Sequence, residues 1–348
     1  MKIAWLNGNP NPNFGGTEIH TVEMVKELLR RDVDLFLVCA KDSFVDKHLR
    51  EVRKYYISFP NSLAVINTIR LARVLKKEKV DVIIANNGKE YPNALYAGKY
   101  AGAKVAFFRH MERMKQWMVR KFVFPYVDMF FAVSERVKSN LISEGVRRER
   151  IKVIYNLVDE ERFTYVKKAE KPINLLFVGK LDEGKGVFDF VKAFLELTKE
   201  REDIHAYVVG DGSARTELER FIQLNYLSEK LFLVGYTAEV EKYYKLAHVC
   251  VIPSKYTEAF PRVAVEALAC GCALVVSHVG GIKEAVQEGV NGYVFKAGDT
   301  QDLVCKIKAT LEKWQSFSFQ SFRIYREKFS REKITEEFLK ALYELTTR

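Results

Sequence analysis

The chain has 348 residues, 48% of them hydrophobic and 29% charged, with a formal net charge of +11. That length suits two domains of about 150 to 200 residues better than a single core, and no apolar run approaches the roughly 20 residues needed to span a bilayer. The charge excess lies in the first half, since residues 1–170 carry 31 Lys+Arg against 20 Asp+Glu and residues 171–348 carry 25 of each.

Lys2 to Leu6 reads as a first strand, too short and too soon interrupted for a signal peptide. The loop NGNPNPNFGGTE follows, dense in Asn, Gly and Pro. Gly15 and Gly16 stand where that loop enters a helix over Thr17 to Arg31, and a glycine pair there lets backbone come close to a phosphate. Val33 to Val38 is the second strand. Asp32-Val33-Asp34 before it is formally a DxD, but it reads as a polar strand entrance, and no metal site is expected. Ile66 to Lys79 is a helix, Val80 to Ala85 a strand, and Tyr91 to Ala101 a helix closed by Gly102. Val105 to Phe108 is a strand that delivers Arg109 and His110 to its C-terminal end, the edge at which open α/β sheets bind ligands.

Residues 111–124, MERMKQWMVRKFVF, place Met111, Met114, Trp117, Met118 and Phe122 at helical spacing among Arg113, Lys115, Arg120 and Lys121. Such a helix either packs on its own domain or lies in a membrane interface. Asp128 to Val133 is a strand, Ser134 to Glu144 a helix, and Lys152 to Tyr155 the last strand of the first domain. The charged, aperiodic stretch 160–172 is expected to be the interdomain linker.

Ile173 to Val178 opens the second domain. The loop after it, GKLDEGKG, holds Lys180 and Lys185 five residues apart at a strand end, as suits a diphosphate whose charge grows as it leaves. Ala206 to Val209 is a strand ending in Gly210-Asp211-Gly212, Arg215 to Tyr226 a helix, and Leu231 to Val234 a strand reaching Gly235-Tyr236. Val249 to Ile252 is a fully apolar run stopped by Pro253, as a doubly covered parallel strand would be. The loop beyond carries Glu258 and leads to a helix over Val263 to Ala269, with Pro261 near its start and Gly271 past its end. Ala273 to Val276 and Val294-Phe295 are further strands, and residues 302–313 and 331–346 are helices. Ile334, Phe338, Leu342 and Leu345 form an apolar stripe on the last of these. The five cysteines lack metal-ligand spacing, and Cys270 and Cys272 read as small buried residues.

Glu258 and Glu266, with seven residues between them, flank a helix start whose amides favour an anion. One carboxylate on each side of an anion site suits a ligand with a central diphosphate and hydroxyl-bearing groups at both ends. Taken alone, both glutamates could equally be solvated helix-end charges.

The setting E-A-F-P-R-V-A-V-E resembles the EX7E signature of the retaining glycosyltransferases of family 4, which have the GT-B fold. VIYNLVD (153–159), FVGKLDEGKG (177–186), VVGDG (208–212), LVGY (233–236) and HVGG (278–281) continue the resemblance in the family's order over nearly the whole chain. It implies two doubly wound Rossmann-like α/β domains facing across a cleft: an acceptor-side domain over 1–165, a donor domain over 166–328, and a C-terminal helix over 329–348 that returns to the first domain. It implies transfer of a sugar, with anomeric retention, from a nucleotide-diphosphate-sugar to an acceptor hydroxyl, without a required cofactor or metal. UDP- or GDP-sugars are the expected donors.

By this resemblance Glu258 holds the transferred sugar and His110 lies near sugar and acceptor. Gly15, Gly16, Lys180, Lys185 and the helix start Phe260, Pro261, Arg262 and Val263 face the diphosphate, while Glu266 holds the ribose and Tyr236 lies beside the base. Two departures are visible. Lys180 stands where the family usually has Arg, keeping the charge without the planar fork, and Met111 follows His110 where an acidic residue is common. The competing readings are a non-catalytic nucleotide-sugar-binding protein, a sugar phosphorylase or a sugar-nucleotide epimerase on the same fold. A cytoplasmic protein is expected, with its basic first domain against an anionic membrane face and its acceptor in polysaccharide or glycolipid assembly. No nucleic acid partner is expected, because no helix-turn-helix, zinc-finger or RNP-like pattern is present.

Overall fold

The computed structural model describes residues 1–10, 15–59, 61, 64–112, 114 and 116–347. Of the sequence features above, residues 11–14 of the first loop and the basic residues 113 and 115 lie outside the described residues. The chain forms two compact units, one of Met1–Leu157 with Arg331–Arg348 and one of Val158–Ser330.

The first unit alternates strand and helix. In chain order its elements are β1 (Lys2–Asn7), α1 (Gly16–Arg30), β2 (Asp34–Cys39), α2 (Phe44–His48), β3 (Lys54–Tyr56), α3 (Val65–Glu78), β4 (Val82–Ala85), α4 (Tyr91–Ala101), β5 (Lys104–Arg109), α5 (Trp117–Phe122), β6 (Met129–Ala132), α6 (Glu135–Ser143) and β7 (Ile151–Val153). The strands pair in parallel in the order β3-β2-β1-β4-β5-β6-β7. Strand order therefore reverses between β1 and β4, and a crevice opens at the C-terminal ends of those two strands. Residues such as Trp5, Phe107, Phe108, Phe130 and Phe131 are fully buried, because helices cover both faces of a parallel sheet.

The second unit runs β8 (Ile173–Val178), α7 (Val187–Thr198), β9 (Ile204–Val209), α8 (Arg215–Leu224), β10 (Leu231–Gly235), α9 (Glu241–Leu246), β11 (Val249–Ile252), α10 (Arg262–Ala269), β12 (Ala273–Ser277), β13 (Gly292–Phe295), α11 (Thr300–Leu311) and α12 (Trp314–Ile324). Its parallel order is β10-β9-β8-β11-β12-β13, so its reversal lies between β8 and β11.

The last helix, α13 (Arg331–Thr346), belongs to the first unit. Its stripe of Ile334, Phe338, Leu342 and Leu345 is buried. Phe338 lies 6.0, 5.7 and 4.8 Å, ring centre to ring centre, from Trp5, Phe108 and Phe131. Ion pairs Arg331–Glu27 at 3.8 Å and Lys152–Glu344 at 3.0 Å join it at either end.

Two expectations meet a different local structure. Among the described residues of 111–124 the helix covers Trp117–Phe122, and Met114 lies outside it: its N–H donates to Glu144 Oε1 at 3.0 Å and its sulfur meets Arg109. The stretch 160–172 packs within the second unit rather than hanging between units. There Lys168 Nζ donates to the carbonyls of Tyr244 and Lys245 at 2.8 and 3.0 Å, at the C-terminal end of α9, where carbonyls are left open and the helix dipole is negative. Asp32 sits in a left-handed turn at φ 56° and Asp34 pairs with Lys2 at 3.4 Å, so the DxD is a strand entrance. Among the described residues no three His, Cys, Asp or Glu side chains converge as a metal site, and no helix is long and apolar enough to cross a membrane.

Candidate functional site

The second unit assembles its chemistry at the strand reversal. The loop after β8 carries Lys180 and Lys185, and the loop after β11 carries Glu258, so neighbouring strand ends supply both. Each loop is shaped locally. Asp182 caps the turn at Glu183–Lys185 by accepting the Lys185 N–H at 2.9 Å. Gly186 takes a left-handed conformation at φ +71°, and a side chain there would collide with the carbonyl of Pro253. Only glycine permits this approach of the two loops, which the Lys255 N–H bond to Gly184 O at 2.8 Å also fastens.

The result is an ion pair between Lys185 Nζ and Glu258 Oε1 at 2.8 Å, with both side chains largely covered. Ser254 Oγ also donates to Glu258 Oε1, and the Glu258 carbonyl accepts from Gly281 at 2.8 Å. Lys185 further lies 5.3 Å from the ring centre of Tyr256. Lys180 is exposed and pairs with Asp182 at 3.3 Å. The two lysines are thus unlike: Lys185 is largely covered and Lys180 is exposed.

Downstream of Glu258 the chain turns into α10 through Pro261, and no side chain caps that helix start. Phe260 is buried and stacks on Phe329 at 5.6 Å, so its side chain anchors the loop. Arg262 and Val263 begin the helix, half-buried. Glu266 has both oxygens engaged, accepting from the Tyr244 hydroxyl at 3.0 Å and pairing with Arg262 at 3.5 Å. Beyond the helix, Gly271 at φ +70° lets the chain reverse, and Cys270 and Cys272 are buried thiols. Tyr236, past β10, is exposed, and its strand end is tied to the next by the Gly210 N–H bond to Gly235 O at 2.9 Å.

The first unit holds the other expected residues. Gly15 precedes α1 in extended backbone, φ −139°, which any residue adopts. A side chain there would meet the end of the Glu18 side chain, which would have to shift. Glu18, buried in the first turn of α1, accepts from Asn9 Nδ2 at 2.9 Å and Thr17 Oγ1 at 3.0 Å. An internal carboxylate therefore already occupies the end of α1 that favours an anion. Gly16 is exposed with open space around it. His110 follows β5, its ring against Phe108 at 5.5 Å and edge-on to His20 at 4.6 Å. The residue is half-buried, yet its Nε2 is shut off from solvent without a hydrogen-bond partner among the described residues. Burial, with the Arg109 cation adding, pushes its pKa down to about 3, so the ring is neutral at physiological pH.

Sequence reasoning missed Glu18, Ser254 and Tyr244, which orient the expected residues. Their signal is three-dimensional, since Tyr244 meets Glu266 across 22 residues of chain.

This arrangement has known relatives. The family model for glycosyl transferases group 1 matches residues 158–333, half of the chain, and that for glycosyltransferase family 4 matches residues 14–162. The chain belongs to the group 1 glycosyltransferases. An uncharacterised glycosyltransferase of Methanocaldococcus jannaschii is 26% identical over 96% of both chains. The lipopolysaccharide 1,6-galactosyltransferase of Salmonella typhimurium is 24% identical over 87% of this transferase and 88% of its own length. Among solved structures, an Anabaena protein crystallised with UDP matches at a TM-score of 0.85 and 21% identity, covering 99% of the transferase and all of that chain. A lipopolysaccharide outer core galactosyltransferase matches at 0.79 and 21%, covering 99% of each. With its two parallel-sheet units, the transferase has the GT-B fold.

Proposed function

We propose that this glycosyltransferase transfers a sugar from a nucleotide-diphosphate-sugar, UDP-sugars foremost and GDP-sugars next, to an acceptor hydroxyl with retention at the anomeric carbon. The observation that carries the reading is the Lys185–Glu258 pair at 2.8 Å, built from the two strands that flank the sheet reversal. In the free protein each group satisfies the other. When a donor binds, a diphosphate takes up Lys185, and sugar hydroxyls take up Glu258. Lys180 swings onto the same phosphates, and the helix start at Phe260, Pro261, Arg262 and Val263 adds its dipole. Glu266 receives the ribose hydroxyls, and Tyr236 lies beside the base.

The bond between the anomeric carbon and the diphosphate oxygen breaks as the acceptor oxygen bonds to that carbon on the same face. The acceptor proton leaves on the departing phosphate. Positive charge fixed before the reaction stabilises the leaving group without reorganising at that moment. A neutral His110 offers the sugar or acceptor a hydrogen bond without adding charge. An acceptor in cell-surface polysaccharide or glycolipid assembly is in keeping with the Salmonella relative. The exposed Met111, Trp117, Met118 and Phe122 beside Lys121 suit an anionic membrane surface.

The test is a thermal-shift panel of UDP-, GDP-, ADP- and CMP-sugars with their nucleoside diphosphates, on wild type and Lys185→Ala. A ligand at a hundred times its Kd stabilises by about 2.7 kcal/mol, several degrees for a domain of this size. Lys185→Ala is expected to weaken the diphosphate 10- to 100-fold, the worth of about 1.5–3 kcal/mol for a charged hydrogen bond, and to leave the nucleoside unaffected. No shift with any donor, or equal loss for diphosphate and nucleoside, would overturn the assignment.

A further inference from the structure

The first unit has its own sheet reversal, and the side chains there are left chemically incomplete. β1, β4 and β5 end together, and beyond them lies a cavity of about 410 Å³ lined by Gly8, Asn87, Glu90, Arg109, Met114 and Gln116 among others. Arg109 is only 2% exposed. Its Nη1 meets the Met114 sulfur at 3.6 Å, while Nε and Nη2 have no hydrogen-bond partner among the described residues. No carboxylate forms an ion pair with it among the described residues. Glu90, also 2% exposed, accepts from the Gly8 N–H at 2.6 Å and from Asn87 Nδ2 at 3.4 Å through Oε1, and its Oε2 has no partner among the described residues.

A guanidinium is always charged, and burying it unpaired costs several kcal/mol. Buried polar atoms are almost always satisfied, so two such groups in the wall of one cavity at a ligand-binding edge call for an occupant. The free Nε and Nη2 form the side of the fork that takes two oxygens of one carboxylate or phosphate. Oε2 of Glu90 accepts a hydroxyl. A core residue would need neither feature.

We propose that this cavity is an acceptor subsite that holds an anionic group of the acceptor, a carboxylate or a phosphate, on Arg109 and a hydroxyl of the same molecule on Glu90. This rests on the glycosyltransferase reading above and narrows its acceptor to acid-bearing hydroxyl compounds. Arg109 sets that specificity, and Glu90 positions the hydroxyl group.

The experiment is calorimetric titration of the full-length protein at pH 7 with D-glucuronate, glycerol 3-phosphate and phosphatidylglycerol vesicles, which separate a soluble carboxylate, a soluble phosphate ester and a lipid headgroup. At least one is expected to bind, with a tenfold or greater loss in Arg109→Met and a smaller one in Arg109→Lys, which keeps the charge without the fork. Glu90→Gln, close in shape, provides a second variant should the Met substitution fail to fold, and it is expected to lose the hydroxyl-bearing acids while still binding inorganic phosphate. No binding by any probe, or equal binding in wild type and Arg109→Met, overturns the proposal. UDP titrated into the same samples reports the second unit separately. UDP binding without acid binding sinks the subsite alone, and acid binding without UDP binding sinks the donor assignment alone.

Discussion

Glu90 gives a prediction whose size follows from its surroundings. Its carboxyl is 2% exposed, and burial pushes its pKa from 4.5 to about 7, with the Glu18 carboxylate adding and the Gly8 N–H and Asn87 opposing. The folded protein therefore holds this proton more tightly than the unfolded chain does. Stability should fall as pH rises from about 4.5 to about 7 and stay reduced above that. At roughly 1.36 kcal/mol per pH unit the full cost is about 3 kcal/mol. Glu90→Gln keeps the acceptor for Gly8 and cannot ionise. At pH 4.5 it should match wild type, and at pH 8.5 it should be more stable by about 3 kcal/mol, or about 6–12 °C in the first unit's transition at 2–4 °C per kcal/mol. Scanning calorimetry of both proteins across pH 4.5–8.5 measures this, with the two units treated as separate transitions. A difference that does not change with pH, or a less stable variant at pH 8.5, would mean that Glu90 ionises normally and that its hydrogen bond from Gly8 dominates.

Two further predictions concern the fold and its surface. Phe338→Ala, which empties the contact of α13 with Trp5, Phe108 and Phe131, should cost about 3–5 kcal/mol in chemical denaturation of the first unit. An effect below about 1 kcal/mol would show that α13 is not part of that core. Trp117 and Phe122, 58% and 52% exposed, should carry vesicle binding, so the double change to Ser should cut binding to phosphatidylglycerol vesicles at least tenfold without altering the melting temperature. Equal sedimentation with vesicles by both proteins would refute a membrane role for this surface.

The fold was legible where burial imposes a period. Val249-Cys250-Val251-Ile252 and Phe107-Phe108 are apolar throughout because both faces of their strands are covered, and the stripe on α13 has the spacing of a helix with one buried side. Short elements escaped notice: β3 has three residues, Lys54–Tyr56, and no buried position, so its sequence looks like any loop. Residues 160–172 misled in the opposite way. Charge without period reads as solvated, yet Lys168 and Arg162 answer carbonyls and a carboxylate around α9. A charged side chain in sequence carries no mark of whether water or protein satisfies it.

The same physics divides the two sites. In the second unit the residues that matter are near one another in sequence or repeat a spacing, as Glu258 and Glu266 do, and the ion pair with Lys185 needs only that two adjacent strands end at the reversal. In the first unit the decisive property is a missing partner. Arg109 could be read from sequence as a residue at a strand end. Whether its guanidinium would find a carboxylate depends on where Glu90, Glu112 and Glu144 come to rest, and those positions are set by packing. Glu144 spends one oxygen on the Met114 N–H, and Glu112 lies 3.6 Å from Arg136. Glu90 spends one on Gly8, and none pairs with Arg109. Each nearby acid is committed by a contact that also shapes the cavity wall, so the unpaired charge is a consequence of how the loops after β1, β4 and β5 are built. The Lys185–Glu258 pair can thus be read from a sequence pattern, while the unpaired Arg109 emerges only from the folded loops.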